Sequence, residues 1–568
     1  MNFLMRPLMK SKGYRRGLIA IVAILIVGLT GSLAFEVGKH SGQQDQDAVP
    51  RLPVITTHTP LAASKPLTFD QSLAITDLPT LNGYVDSTCP NLAANWMQTE
   101  NAIPSPDINM GKFFHSHTPW PEGSALWLNK TSIGCGESVD IHASLSPTYN
   151  GKVDNQPRIF EAIRIGWYGG AGGRVTWTSS SVKLKYRKTP LPKNALRMIQ
   201  TTWPTTLRIS TASWLPGFYL IVSKLPNGNF ESSAPLIIRA PYSNSTLALV
   251  HSTLTWAAYN TFGGRSLYVG PGLSTKQKSY ERSRIVSMDR PLAGSGNELL
   301  FRDALPIVQL AEKNNISLNQ YADTDINNSP TILSHFSGVV WSGHPEYWTQ
   351  TLFDAAIAAR NHGINLAFFG ANTAYWRARL QPSPTGPDRQ VIVYREATED
   401  PAKIPADATL QFQDRIINEP PSLIDGSMTS AIGVSGELKS TSVNAWLGIP
   451  KNSVLKGFSK YSEIASHQDG IQAPTNVHSL FEGKFIFAGN PNVEELRYKK
   501  NSIAETDWWS APSGAIVFSA GVNLWVCNLT DSCGMATVDS TTKDLLDTIT
   551  VRVLTLWSHK INPSVELR

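Results

Sequence analysis

The feature that most constrains the fold is a strand, a helix and a second strand placed in close succession. Gly338-Val339-Val340-Trp341-Ser342 is a short apolar strand, Gln350 to Arg360 has a helical composition closed by Gly363, and Ile364 to Phe369 is apolar again. A crossover of this kind returns the chain in the direction it left, so the two strands must be parallel and adjacent or nearly so. Leu247 to His251 reads as a further buried strand of the same sheet, and Asp544 to Trp557 has the spacing of a helix that packs back on it.

The rest of the chain follows a different grammar. Between residues 91 and 240, short alternating apolar segments are broken by Gly, Pro and Asn: Ser138 to Ala143, Ala162 to Tyr168, Phe218 to Val222 and Pro235 to Arg239. That spacing predicts a β-sandwich. With 568 residues the chain is too long for one core, and 41 Gly, 37 Pro and 16 Trp beside only 17% charged residues fit a loop-rich, β-rich globule. The expected architecture is an Ig-like β-sandwich at 91–240, then an α/β domain at 241–568 with a glutamine-amidotransferase- or flavodoxin-like parallel sheet. A net charge of +6, partly carried by the basic N-terminus, gives nucleic acid little electrostatic purchase.

Residues 17–35 form an uncharged apolar run long enough to span a bilayer, preceded by Lys10, Lys12, Arg15 and Arg16. The reading is a cytoplasmic basic segment at 1–16, a single-pass anchor at 17–35, a flexible stalk at 36–90, and both domains outside the cytoplasmic membrane. The Ser32-Leu33-Ala34 triplet leaves a cleaved signal and a secreted product as the alternative. Four cysteines are present. Cys527 and Cys533 would close a short loop, leaving Cys89 to pair with Cys135, and none has zinc-ligand spacing.

In open parallel sheets, ligands bind beyond the carboxyl ends of the strands. Three polar clusters fall there: Trp256 to Ser266 after the strand ending at His251, Gly343-His344-Pro345-Glu346-Tyr347-Trp348 after Ser342, and Gly370 to Arg377 after Phe369. His344, Glu346 and Asn372 are thereby placed on one face, where they could hold a metal and polarise water or do acid–base work without one. The plainer readings are a capped helix start for His344 and Glu346, an Asx-turn for Asn372, and core packing for the nearby tyrosines. Ser342-Gly343 lacks the first glycine of a nucleophile elbow.

The run Arg164 to Arg174 (RIGWYGGAGGR), the Ala-Tyr-Asn block of Ala258 to Ser266, the Ser-Gly-His-x-Glu-Tyr-Trp block of Ser342 to Trp348 and the segment Asn365 to Arg377 occur in that order. Together they resemble the family of the N,N-dimethylformamidase large (β) subunit. The resemblance implies a mononuclear Fe(III) held by two tyrosines and a glutamate, with a His, an Asn and a second Glu assisting hydrolysis of a small amide. Carried over here, Glu346 would be the carboxylate ligand and His344 and Asn372 the assisting pair. Tyr259 would be one phenolate, and Tyr219 the second with Tyr268 as fallback. Phenolate is a hard donor suited to Fe(III). The late stretch most similar to the one bearing the family's second glutamate, Phe518 to Trp525, has no acid, so Glu482 and Glu494 or Glu495 stand as substitutes. The expected function is hydrolysis of a C–N bond, the alternative a binding protein that keeps the fold without the chemistry. No oligomeric state or small-subunit partner is readable.

Overall fold

A computed structural model describes residues 89, 92–111, 121–147, 151–192, 195–241, 246–272, 274–487, 501–530, 533 and 537–558. The basic segment, the apolar run at 17–35, nearly all of the stalk, and Glu494 and Glu495 lie outside the described residues. No helix among the described residues is long and apolar enough to cross a membrane. The single-pass anchor, and the placement of the domains outside a membrane that was built on it, therefore find no support in the structure and are withdrawn.

The first region contributes β1 (Gly123–Leu128), β2 (Ser132–Gly134), β3 (Ser138–Ser146), β4 (Ile159–Ile165), β5 (Gly173–Thr178), β6 (Leu207–Ser210), β7 (Gly217–Lys224) and β8 (Phe230–Arg239). They form two sheets, β1-β3-β6 and β2-β8-β7-β4-β5. Alternate residues of each sheet point inward, so Leu126, Val139 and Ile141 from one share a core with Phe160, Tyr219, Ile221 and Leu236 from the other. The Cys89–Cys135 and Cys527–Cys533 disulfides are both formed.

The second region supplies β9 (Leu247–His251), β10 (Ile285–Ser287), β11 (Leu318–Ala322), β12 (Gly338–Gly343), β13 (Tyr347–Trp348), β14 (Asn365–Gly370), β15 (Trp376–Arg377), β16 (Arg379–Ser383) and β17 (Gly386–Ile392). Later come β18 (Met428–Ser440), β19 (Val454–Ser466), β20 (His478–Phe487), β21 (Asn501–Ser510) and β22 (Ile516–Ser519). One sheet runs in the order β11-β9-β12-β14-β22-β21-β20-β18-β19. Its first part is parallel, from β11 through β22. From β22 onward every pairing is antiparallel.

The expected glutamine-amidotransferase- or flavodoxin-like parallel sheet is thus corrected to a mixed sheet in a molecule dominated by strands. The physical reason is the length of the late strands, which join as antiparallel neighbours without the helical crossovers a parallel sheet needs. Helices of this region include α1 (Thr253–Tyr259), α2 (Ser295–Asp303), α3 (Gln350–Asn361) and α4 (Ser540–Ser558). Helix α3 connects β12 to β14, which pair directly, with Val340 opposite Ala367. Thr349 caps α3 by accepting from Leu352 N, and Gly363 ends it at φ 81°. Helix α4 packs back on the sheet, where buried Trp557 donates its indole N–H to Leu366 O at 3.1 Å.

Candidate active site

Two strands that end side by side bring the site together. At the tips of β12 and β14 the backbones of Gly343 and Gly370 nearly touch: a Cβ on Gly370 would lie 1.9 Å from Gly343 O. Gly343 also has φ 71°, and a Cβ there would lie 2.1 Å from the Asp303 carboxyl carbon. No larger residue fits either place. Immediately beyond these glycines the chain releases His344 and Glu346 from one strand and Asn372 from the other, with Asn372 in the left-handed region at φ 59°.

Helix α1 completes the frame. Asp323 accepts from Leu254 N at 2.9 Å and from the Thr253 hydroxyl, fixing the start of α1. Two residues after Thr253, Thr255 Oγ1 accepts from both Glu346 N and Tyr347 N at 3.2 Å, which registers α1 against the acid-bearing segment. The helix ends at Tyr259, and the following loop is held by a buried guanidinium. Arg290 donates to Asn260 O, Phe262 O, Arg265 O and Ser287 O at 2.9–3.1 Å, and burial lowers its pKa to about 9. At the end of the loop Ser266 Oγ accepts from Tyr268 N and Val269 N at 3.0 and 3.1 Å, which turns Tyr268 back toward Tyr259. The Ala258 to Ser266 block is therefore a device for setting two phenols beside one another: their ring centroids are 4.4 Å apart.

The Tyr268 hydroxyl donates to Glu346 Oε1. The other carboxylate oxygen, Oε2, is buried and lies 3.4 Å from His344 Nε2. His344 Nε2 is 3.0 Å from Glu463 Oε2, and Asn372 Nδ2 donates to the same oxygen at 2.9 Å. Thr429 Oγ1 donates to Asn372 Oδ1 at 2.9 Å, which fixes the amide so that its nitrogen faces Glu463. Arg395 stacks over the Tyr268 ring at 4.1 Å and donates to the Tyr347 hydroxyl at 2.6 Å. Tyr259, Tyr268, His344, Glu346, Asn372 and Glu463 are all buried.

Burial sets the electrostatics. It raises both Tyr259 and Tyr268 well above the ordinary phenol value, and the Glu346 charge adds to the rise. Burial also raises Glu346, against the pull of His344, with Glu463 adding to the rise. Glu463 moves the other way: burial opposes its charge, but His344, Arg302 and the Asn372 amide outweigh that and lower its pKa. For His344, burial disfavours the cation and is outweighed by Glu463 and Glu346, so its pKa is raised. Two neighbouring carboxyls are thus driven apart, Glu463 held ionised and Glu346 pushed toward neutrality.

Among the residues singled out in the sequence, His344, Glu346, Asn372 and Tyr259 share this pocket. Tyr219 stands apart and is corrected: it sits on β7 in the sandwich core, where its hydroxyl donates to Leu215 O at 2.7 Å. Tyr268, the fallback, lies in the pocket, its hydroxyl on Glu346. Neither Glu482 nor the stretch Phe518 to Trp525 supplies the second acid; Glu463 on β19 does, a residue sequence reasoning passed over. Its one signal was an acid inside the strand-like run Ser462-Glu463-Ile464-Ala465. The buried Ser342 hydroxyl donates to Asp303 O at 2.6 Å.

A family model described as N,N-dimethylformamidase beta subunit-like, C-terminal, matches residues 159–538. No curated protein matches the chain.

Proposed function

The chain belongs to the N,N-dimethylformamidase β subunit-like family, and from that premise we propose that it hydrolyses the C–N bond of a small amide in the pocket of Tyr259, Tyr268, Glu346, His344, Asn372 and Glu463. The observation that carries this reading is the convergence of the buried Glu346 carboxylate with the buried phenols of Tyr259 and Tyr268. A carboxylate and two phenol oxygens gathered out of water are the donor set a hard, highly charged cation would satisfy. The residues therefore fit the implied Fe(III), with Tyr259, Tyr268 and Glu346 as its ligands. When bound, such an ion supplies Lewis acidity to an amide carbonyl oxygen and lowers the pKa of water.

The chain's own groups account for the remainder. Glu463, kept ionised by His344, Arg302 and Asn372, is the base that takes a proton from water. Asn372, fixed by Thr429, orients that base. His344, between Glu463 and Glu346, carries the positive charge that keeps Glu463 ionised in the buried pocket and is placed to pass a proton to the departing amine nitrogen. Arg395 against Tyr268 stabilises negative charge on that ring's oxygen and holds its plane. Burial of all six side chains supports a small substrate over a peptide. A family described by a β subunit also supports proposing a companion subunit.

The test is a screen of short-chain formamides and acetamides with purified protein, beside Glu463→Gln. Wild type releases amine from at least one of them, and the variant keeps its metal while losing turnover by a factor of about 100 or more. Equal turnover by both, or none by iron-containing wild type across the screen, contradicts the proposal.

A further inference from the structure

A second group of potential ligands lies elsewhere, at the end of β19. His467, Glu505 and Asp507 each offer one ligand atom, and the three atoms all lie within 4.8 Å of one another. Glu505 and Asp507 are two residues apart on β21 and so share one face of the sheet. His467 follows β19 directly and is partly open to solvent, whereas both acids are buried. His467 Nδ1 is 2.9 Å from Glu505 Oε2 and 3.4 Å from Asp507 Oδ2.

Two observations separate this cluster from an ordinary ion pair. First, Asp507 is 1% exposed, and among the described residues the one donor facing its carboxylate is the His467 ring, at 3.4 Å. Second, Glu505 is aimed by its neighbours: the Ser466 hydroxyl, His467 N at 3.0 Å and the Gln468 side-chain amide at 2.5 Å all donate to it. One acid is held by several donors and the other faces the same point with only the His467 ring beside it, as in a ligand set with its supporting shell. The charges acting most strongly on Asp507 are His467, Glu505 and Glu482, of which His467 alone can be a cation. Two buried carboxylates against one imidazole leave the cluster short of positive charge.

We propose that His467, Glu505 and Asp507 bind a divalent first-row transition ion, distinct from the metal of the catalytic pocket. An imidazole nitrogen with two carboxylate oxygens suits zinc or manganese better than magnesium or calcium, which take oxygen alone. The open side at His467 leaves a coordination position for water. Because β19 carries Glu463 four residues before His467, an ion here would pin β19 to β21 and steady the base of the catalytic pocket.

The experiment is calorimetric titration of chelator-stripped full-length protein with zinc. Wild type and Glu346→Gln should both show a tight binding event with one ion per chain that is lost in Asp507→Asn and in His467→Ala. The His467→Ala change sits at a partly exposed position and keeps the fold intact, which circular dichroism verifies. Zinc binding unchanged by His467→Ala, or no tight event in Glu346→Gln, overturns the proposal. Because Glu346→Gln removes a ligand of the catalytic pocket alone, failure of the iron reading and failure of this one give different traces.

Discussion

Tyr268 and Tyr219 are both buried tyrosines with one hydrogen bond from the hydroxyl, and they should answer mutation in opposite ways. Tyr268→Phe removes a phenol that touches Glu346, so the variant should keep its fold and lose bound iron together with any phenolate-to-iron absorption. Tyr219→Phe removes a bond to Leu215 O inside the sandwich; it should lower stability by about 1 kcal/mol and leave the iron content unchanged. Metal analysis with a denaturant titration of each variant checks the pair. His251 gives a pH signature at the same scale. It is buried, with Nε2 2.8 Å from Gln320 Oε1, and burial lowers its pKa to about 4. A depressed folded pKa means that its contribution is intact above the unfolded value near 6.5 and is lost as the pH falls through the window between about 6.5 and 4. The loss should reach about 3 kcal/mol once the group is protonated, and His251→Leu should flatten that part of the stability profile. Residues were legible where the topology forced them to the strand tips, as with His344, Glu346 and Asn372. Tyr219 misled because a tyrosine that closes a sandwich core and one that faces a pocket have the same local sequence. Glu463 was invisible because nothing local distinguishes an inward acid on a strand from an outward one.

At the scale of elements, the tips of β12 and β14 are the critical junction. Gly370→Ala places a methyl group 1.9 Å from Gly343 O. Backbone cannot yield there without separating the strands, so the variant should lose about 3 kcal/mol and the metal with it, as a melting curve and metal analysis would show. The β12–α3–β14 unit could be read from sequence because apolar runs, a capped helix and a closing glycine are all local signals. The antiparallel half could not. Strands β18 and β19 pair with register shifts at Thr429/Ala431, Ile432/Val434 and beyond, and each shift breaks the alternation on which a strand is recognised. A sheet read as wholly parallel was the consequence.

At the scale of the molecule, one buried ion pair joins the sandwich to the mixed-sheet region. Arg164 on β4 meets Glu312 at 2.6 Å, and Glu312 also accepts from Asn101 Nδ2 at 3.0 Å. Burial opposes the Arg164 charge, but Glu312 outweighs it and holds the guanidinium firmly protonated. Glu312→Ala leaves that charge unpaired and should cost about 3–5 kcal/mol, while iron per folded chain stays at the wild-type level. Anomalous diffraction at the iron edge tests most directly whether the oxygens of Tyr259, Tyr268 and Glu346 hold one ion. An anomalous peak bounded by Tyr259, Tyr268 and Glu346 is the expected result. An iron-replete crystal with no peak there, and the Tyr268 hydroxyl still donating to Glu346, would contradict it.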